Sequence, residues 1–133
     1  MPVEYEKRIT RQMVRSRPDV LFVFGDNLAC AGLGGQARAM RGEPNAVGIP
    51  TKRAPSMEAW AMFMDADFAE VRPRIDAAMA RLRNHLVRGC TVVMPADGIG
   101  TGLAELPKRA PKIDEYLQRR LGELVTITVI LYG

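Results

Sequence analysis

Asp26 and Asn27 close an apolar run, "VLFVFGDN", and three glycines follow at Gly32, Gly34 and Gly35. A carboxylate and an amide at a strand end can hydrogen-bond hydroxyls or an exocyclic amine. Glycines at such a point let backbone amides converge, and a helix opening near Gln36 would aim free N–H groups the same way. The combination is an anion cradle suited to phosphate. A second cluster, Asp97, Gly98, Gly100 and Gly102 in "PADGIGTGL", repeats the device after another apolar run. Two such cradles facing each other would suit a diphosphate. Thr51 and Lys52, after the short run "AVGIP", stand where a rim would be completed, although a solvated surface is the plainer role for Lys52.

Neither cluster is one of the two familiar phosphate motifs. A P-loop needs Gly-Lys-Ser/Thr after its glycines, where this chain has Gly35-Gln36-Ala37, and "GLGGQA" and "GIGTGL" each satisfy only part of a dinucleotide fingerprint. Plain turn geometry is the competing account of the glycines. Local capping by side chain to backbone bonds is the competing account of Asp26, Asn27 and Asp97.

The elements that must position these residues follow from periodicity. "VLFVF" at 20–24 and "CTVVMPA" at 90–96 read as buried strands, "AVGIP" at 46–50 as a shorter one, and "EKRIT" as an edge strand. "RQMVRSRPD" reads as one helical turn, and "GGQARAMR" as a short helix stopped by Gly42 and Pro44. Residues 51–68 carry Pro55 and no clean period, which predicts a loop with about one helical turn. From Asp67, expected as a cap, Val71, Ile75, Ala78, Met79, Leu82 and Leu86 form a helical stripe ended by Gly89. Leu106, Ala110, Ile113, Leu117 and Leu121 form another, broken by Pro107 and Pro111, with the main helix beginning near Pro111. The β-branched run "LVTITVILY" is expected to close the chain as a strand. Strands alternating with helices predict a three-layer α/β/α sandwich around a mixed, largely parallel sheet. Ligands of such folds bind at the carboxyl ends of strands, where both glycine clusters fall.

Bulk composition bounds the function. The 133 residues suit a single domain over 1–133, and 47% hydrophobic with 26% charged residues is the composition of a soluble globular protein. "MPVEYEKRITRQ" has no apolar signal segment and no stretch approaches a membrane span, so a cytoplasmic protein without membrane association is expected. Cys30, Cys90 and the single His85 provide neither a disulfide framework nor a zinc set, so no metal and no cofactor is expected. The net charge of +4 favours anionic partners, but aromatic residues are only 6% and do not interleave with the basic ones, so a nucleic-acid role stays open without a visible stacking platform.

Taken together, the two loops resemble those of the macrodomains, α/β/α proteins that bind ADP-ribose and related nucleotides, some of which hydrolyse ADP-ribosyl linkages. Macrodomains carry a strand ending Asn-Ala-Ala-Asn, then about six residues and a glycine run opening a helix. Here "FGDN" takes the tetrad's place, Gly34 and Gly35 follow at the right distance, and "PADGIGTGLAELPKRAPKI" is similar to the later strand, glycine loop, proline and helix. The resemblance covers roughly 20–132 and extends to compact uncharacterised proteins of bacteria and their phages. It implies that Asn27, with Asp26 beside it after Gly25, contacts a distal ribose and helps place an attacking water. It also implies that the loop Gly32 to Gln36 flanks ribose and phosphates, and that Gly98, Ile99, Gly100, Thr101 and Gly102, with Asp97, wrap the diphosphate. The departures are Asp26, Gln36 and Asp97, each in place of a small residue, Leu103 near where relatives place an aromatic, and Ala104 where one branch has a catalytic aspartate.

Three functions stay open at this point: an ADP-ribosyl hydrolase acting on an ADP-ribosylated macromolecule, a non-enzymatic binder of ADP-ribose or a related nucleotide, and a basic nucleic-acid or protein interaction module with structural glycines.

Overall fold

The apolar runs before residue 100 do become strands, and all of them run parallel. In a computed structural model describing residues 2–133, β1 (Val3–Glu6), β2 (Leu21–Asn27), β3 (Ala46–Lys52) and β4 (Val92–Pro95) form one sheet in the order β1-β4-β2-β3. Met1, first residue of the expected domain, lies outside the described residues. The edge strand falls at Val3–Glu6 rather than at "EKRIT", because Thr10 starts the next helix, its hydroxyl accepting from the N–H of Met13 at 3.2 Å.

Alternation along the central strands divides the core into two layers. Leu21, Val23, Val92 and Met94 pack with Val47 and Ile49 against α3 (Phe68–Val87) and α5 (Pro111–Tyr132). Phe22, Phe24 and Val93 point the other way, against α1 (Arg11–Ser16) and α2 (Ala37–Met40). Helices thus cover both faces, as a parallel sheet requires. The predicted stripe of α3 is buried at all six positions, and Leu106, Ala110, Ile113, Leu117 and Leu121 are likewise buried along α4 (Leu106–Arg109) and α5. Residues 53–67 contain two 3-10 turns, Ala59–Ala61 and Asp65–Asp67. Asp67 takes the N-cap position of α3, but its side chain makes no capping bond there. Its carboxylate accepts from the N–H of Met64 at 2.9 Å and closes the preceding turn.

The predicted closing strand is a helix, which is why the sheet is all parallel rather than mixed. Residues 124–132 continue α5: Leu124 and Thr128 extend the buried stripe of Tyr116, Leu117 and Leu121 at intervals of three and four. The hydroxyls of Thr126 and Thr128 donate to the carbonyls of Gly122 and Leu124, one turn back. Tyr132 Oη donates to the carbonyls of Leu86 and Val87 at 2.9 and 3.2 Å, fastening the last turn of α5 to the end of α3. The local β-preference of Thr, Val and Ile yields to packing against α3.

Candidate functional site

Because β2, β3 and β4 run the same way, their carboxyl ends share one edge, and the loops leaving them surround a cavity of about 640 Å³. That lies within the range of small-molecule and cofactor sites, roughly 300–1,000 Å³. Both predicted glycine clusters line it, together with Thr51, Lys52 and residues 55–57 of the third loop.

Gln36 joins the two clusters. Its Oε1 accepts from the N–H of Gly25 at 2.7 Å, and its Nε2 donates to the carbonyl of Gly98 at 3.1 Å. The side chain is therefore a strut between the ends of β2 and β4, and it occupies the Gly25 amide. The helix it precedes, α2, has only four residues, so the first loop relies on its own amides rather than on a helix dipole.

Asp26 faces Arg41, a residue that nothing in the sequence pattern singles out. One carboxylate oxygen lies 2.5 Å from Arg41 Nη2 and the other 3.3 Å from Nη1, while Oδ1 also accepts from the N–H of Asn27 at 2.8 Å. Arg41 donates further to the carbonyls of Gly32 and Ala31 at 2.6 and 3.1 Å, and its guanidinium stands 5.7 Å from the centre of the Phe24 ring. A single planar donor fork thus clamps the strand end to the glycine loop. Gly48, beside this carboxylate on β3, makes room for it: a Cβ there would lie 2.6 Å from Asp26 Oδ2.

Asn27 is buried, and it brackets the loop from below. Its Nδ2 donates to the carbonyl of Ala31 at 2.8 Å and its Oδ1 accepts from the N–H of Ala31 at 3.4 Å. One donor hydrogen and one acceptor lone pair of the amide remain. Thr51 Oγ1 donates to the carbonyl of Asp26 at 3.1 Å.

The glycines divide into two kinds. Gly32 has φ of +88°, and a Cβ on it would stand 2.7 Å from Pro55 Cβ; Gly100, at +83°, would place one 2.8 Å from Leu106 Cδ2. These are requirements of the folded chain itself. Gly35 and Gly98 also have positive φ. Gly34 and Gly102 differ: neither has positive φ, and a Cβ on either would meet nothing within 4 Å. Among the described residues, the N–H groups of these two glycines donate to no backbone carbonyl.

The other expected residues separate. Thr101 Oγ1 donates to the carbonyl of Asp97 at 2.7 Å and so closes its own turn, while the Asp97 side chain stands exposed between the main cavity and a neighbouring one of about 420 Å³. Ile99 does not reach the cavity. Its side chain lies in the core and its carbonyl accepts from Gln118 Nε2 at 3.1 Å, so it anchors the second loop rather than lining the cavity. Lys52 belongs to the cavity rather than to open surface. Its Nζ donates to the carbonyl of Ser56 at 3.2 Å, and among the described residues it has no carboxylate partner. Leu33, Met57 and Leu103 also line the cavity.

The clearest perturbed acids lie outside the cavity. The Glu43 carboxyl is held below its ordinary value, first by a hydrogen bond from Arg15, with Arg11 adding to it and burial opposing. Arg53 does the same for Glu70 beside the third loop.

No curated protein and no solved structure matches the chain. Residues 4–120 match DUF7831, a family of unknown function spanning the sheet, the loops around the cavity and the start of α5, and the chain belongs to that family.

Proposed function

We propose that the cavity binds a nucleotide diphosphate of the ADP-ribose class. The observation that carries this reading is the pair Gly34 and Gly102. Both line the cavity, neither needs to be glycine for its backbone angles or for space within the chain, and glycine at such a place suits the close approach of a bound group. Lys52 adds a cation at the rim without a carboxylate to neutralise it, and the order of loops resembles that of macrodomains. Backbone amides from two loops then meet two phosphates, and the free donor and acceptor of Asn27 serve ribose hydroxyls.

The same geometry favours binding over hydrolysis. Asp26 is held by Arg41 and by the Asn27 N–H, so it is not placed as a general base. The reading puts the protein in the cytoplasm, where the two unbridged thiols, Cys30 and Cys90, stay reduced. Among the described residues, no helix is long and apolar enough to cross a membrane.

Calorimetric titration with ADP-ribose, ADP and NAD tests the proposal. Wild-type protein is expected to bind ADP-ribose with a dissociation constant on the order of micromolar. Gly34→Glu, which places a carboxylate in the cradle without a backbone penalty, should abolish that binding with the melting temperature nearly unchanged. Unaltered affinity in the folded variant removes the loop from the site. Silence toward all three nucleotides, with salt-sensitive binding of an oligonucleotide, would instead support an interaction module.

A further inference from the structure

Gly34 and Gly102, the two cavity glycines with open space and no positive φ, each have a leucine as a chain neighbour: Leu33 precedes Gly34 and Leu103 follows Gly102. Both leucines line the cavity and, unlike the buried Leu82, Leu86, Leu106, Leu117, Leu121 and Leu124 of the helices, are 62% and 60% exposed. Met57 joins them from the third loop at 56% exposure, its Sδ 4.0 Å from Lys52 Nζ. Three loops thus each hold one large apolar side chain in water at the mouth of one cavity.

Apolar side chains grouped this way around a concave site mark surface that is covered when the site is filled. Besides backbone amides and Lys52, the polar side chains of the cavity include Asn27, Gln36, Arg41 and Thr51, which the loops already engage, so the polar part suits an anion and its hydroxyls and offers a ring no apolar surface. A ligand that meets both needs a phosphate and, within reach of it, a flat group with little charge. The geometry points to a base-clamping subsite in which Leu33 and Leu103 take the faces or edges of the nucleotide's heterocyclic ring and Met57 closes over it. Methionine suits the closing position, because its unbranched side chain and polarisable sulfur adapt to an aromatic ring. This inference rests on the nucleotide reading of the cavity, and it specifies the portion of the ligand that the amide cradle leaves unrecognised. Selectivity then comes from the rim and anion capture from the floor.

The test uses three probes on the intact chain: inorganic pyrophosphate, ribose 5-phosphate and AMP, the last carrying adenine where ribose 5-phosphate has its anomeric hydroxyl. Wild-type protein is expected to bind AMP tighter than ribose 5-phosphate by on the order of tenfold, the return expected from covering part of a ring with three aliphatic side chains. The double substitution Leu33→Ser with Leu103→Ser should erase that margin while pyrophosphate affinity and melting temperature stay as they were. Both leucines are exposed, so the fold does not depend on them. Equal binding of AMP and ribose 5-phosphate by the wild type, or an equal loss for every probe in the variant, overturns the clamp and leaves the anion cradle standing. If none of the three probes binds, the nucleotide reading fails and the clamp fails with it.

Discussion

The loops after β2 and β4 carry similar glycine patterns and flank the same cavity, yet they are held by different forces. The first is held by polar side chains: Arg41 grips Asp26 and two loop carbonyls, Asn27 brackets Ala31, and Gln36 braces Gly25. The second is held mainly by burial: Ile99 sits in the core, Gly100 packs close to Leu106, and Thr101, Gln118 and Gln36 add side-chain bonds. A loop fixed by a hydrogen-bond network can change register when one partner leaves, whereas a loop pinned by a core residue moves only at the expense of the core. The Gln36 bridge to Gly98 couples the two.

The largest effect is expected at the buried pin. Ile99→Ala removes a fully buried side chain and should destabilise the whole chain by about 3 kcal/mol in denaturant unfolding. A loss confined to the second loop, with global stability unchanged, would mean that Ile99 is no part of the cooperative core. Arg41→Met should have a smaller and more local effect, about 2 kcal/mol, because it removes the cation paired with the Asp26 carboxylate and the donor to the Gly32 carbonyl in a partly exposed pair, while Asn27 still serves Asp26 and the Ala31 carbonyl. Hydrogen exchange should then accelerate at residues 31–35 and stay slow at 99–102. Equal acceleration in both segments would show that the strut transmits the first loop's disorder to the second.

The smallest effect concerns the third loop, tied to α3 by Arg53 with Glu70 and Asp67. Because the Glu70 carboxyl is held below its ordinary 4.5, the pair stabilises the protein above about pH 4.5 and is lost as the pH falls through the lowered value. Glu70→Gln should flatten this acid limb slightly and leave neutral-pH stability almost the same, since the pair is solvent-exposed. A large loss at neutral pH would contradict the view that this loop is only loosely tied.

The sequence was most readable where one residue's surroundings are set by its own neighbours. The β2 and β4 runs and the α3 stripe announced themselves because burial follows a period that the chain displays directly. Residues 124–132 misled because Thr126, Thr128 and Val129 favour strands locally, and only contact with α3 decides otherwise. In the site, the glycines marked the right edge of the sheet, but Gly32 and Gly100 turned out to serve the fold while Gly34 and Gly102 remained without a structural task. Asp26 could not be assigned without Arg41, fifteen residues away, and Gln36 could not be assigned without Gly98, sixty-two away. Partners at such distances leave no periodic trace. Ile99, set among glycines and counted with them, was the large apolar residue of its loop that sat at an inward-facing position.

The order of the strands has a consequence for how the chain matures on the ribosome. β2 and β3 are close in sequence and can pair early, but Val3 of β1 lies beside Val92 of β4, and the carbonyl of Pro2 accepts from the N–H of Val92 at 2.7 Å. At ~5–20 residues per second, β1, the earliest made of these four strands, spends several seconds without its partner. The outer edge of the sheet is therefore the last part of it to form, and the N-terminal segment stays open to chaperones and proteases throughout that interval.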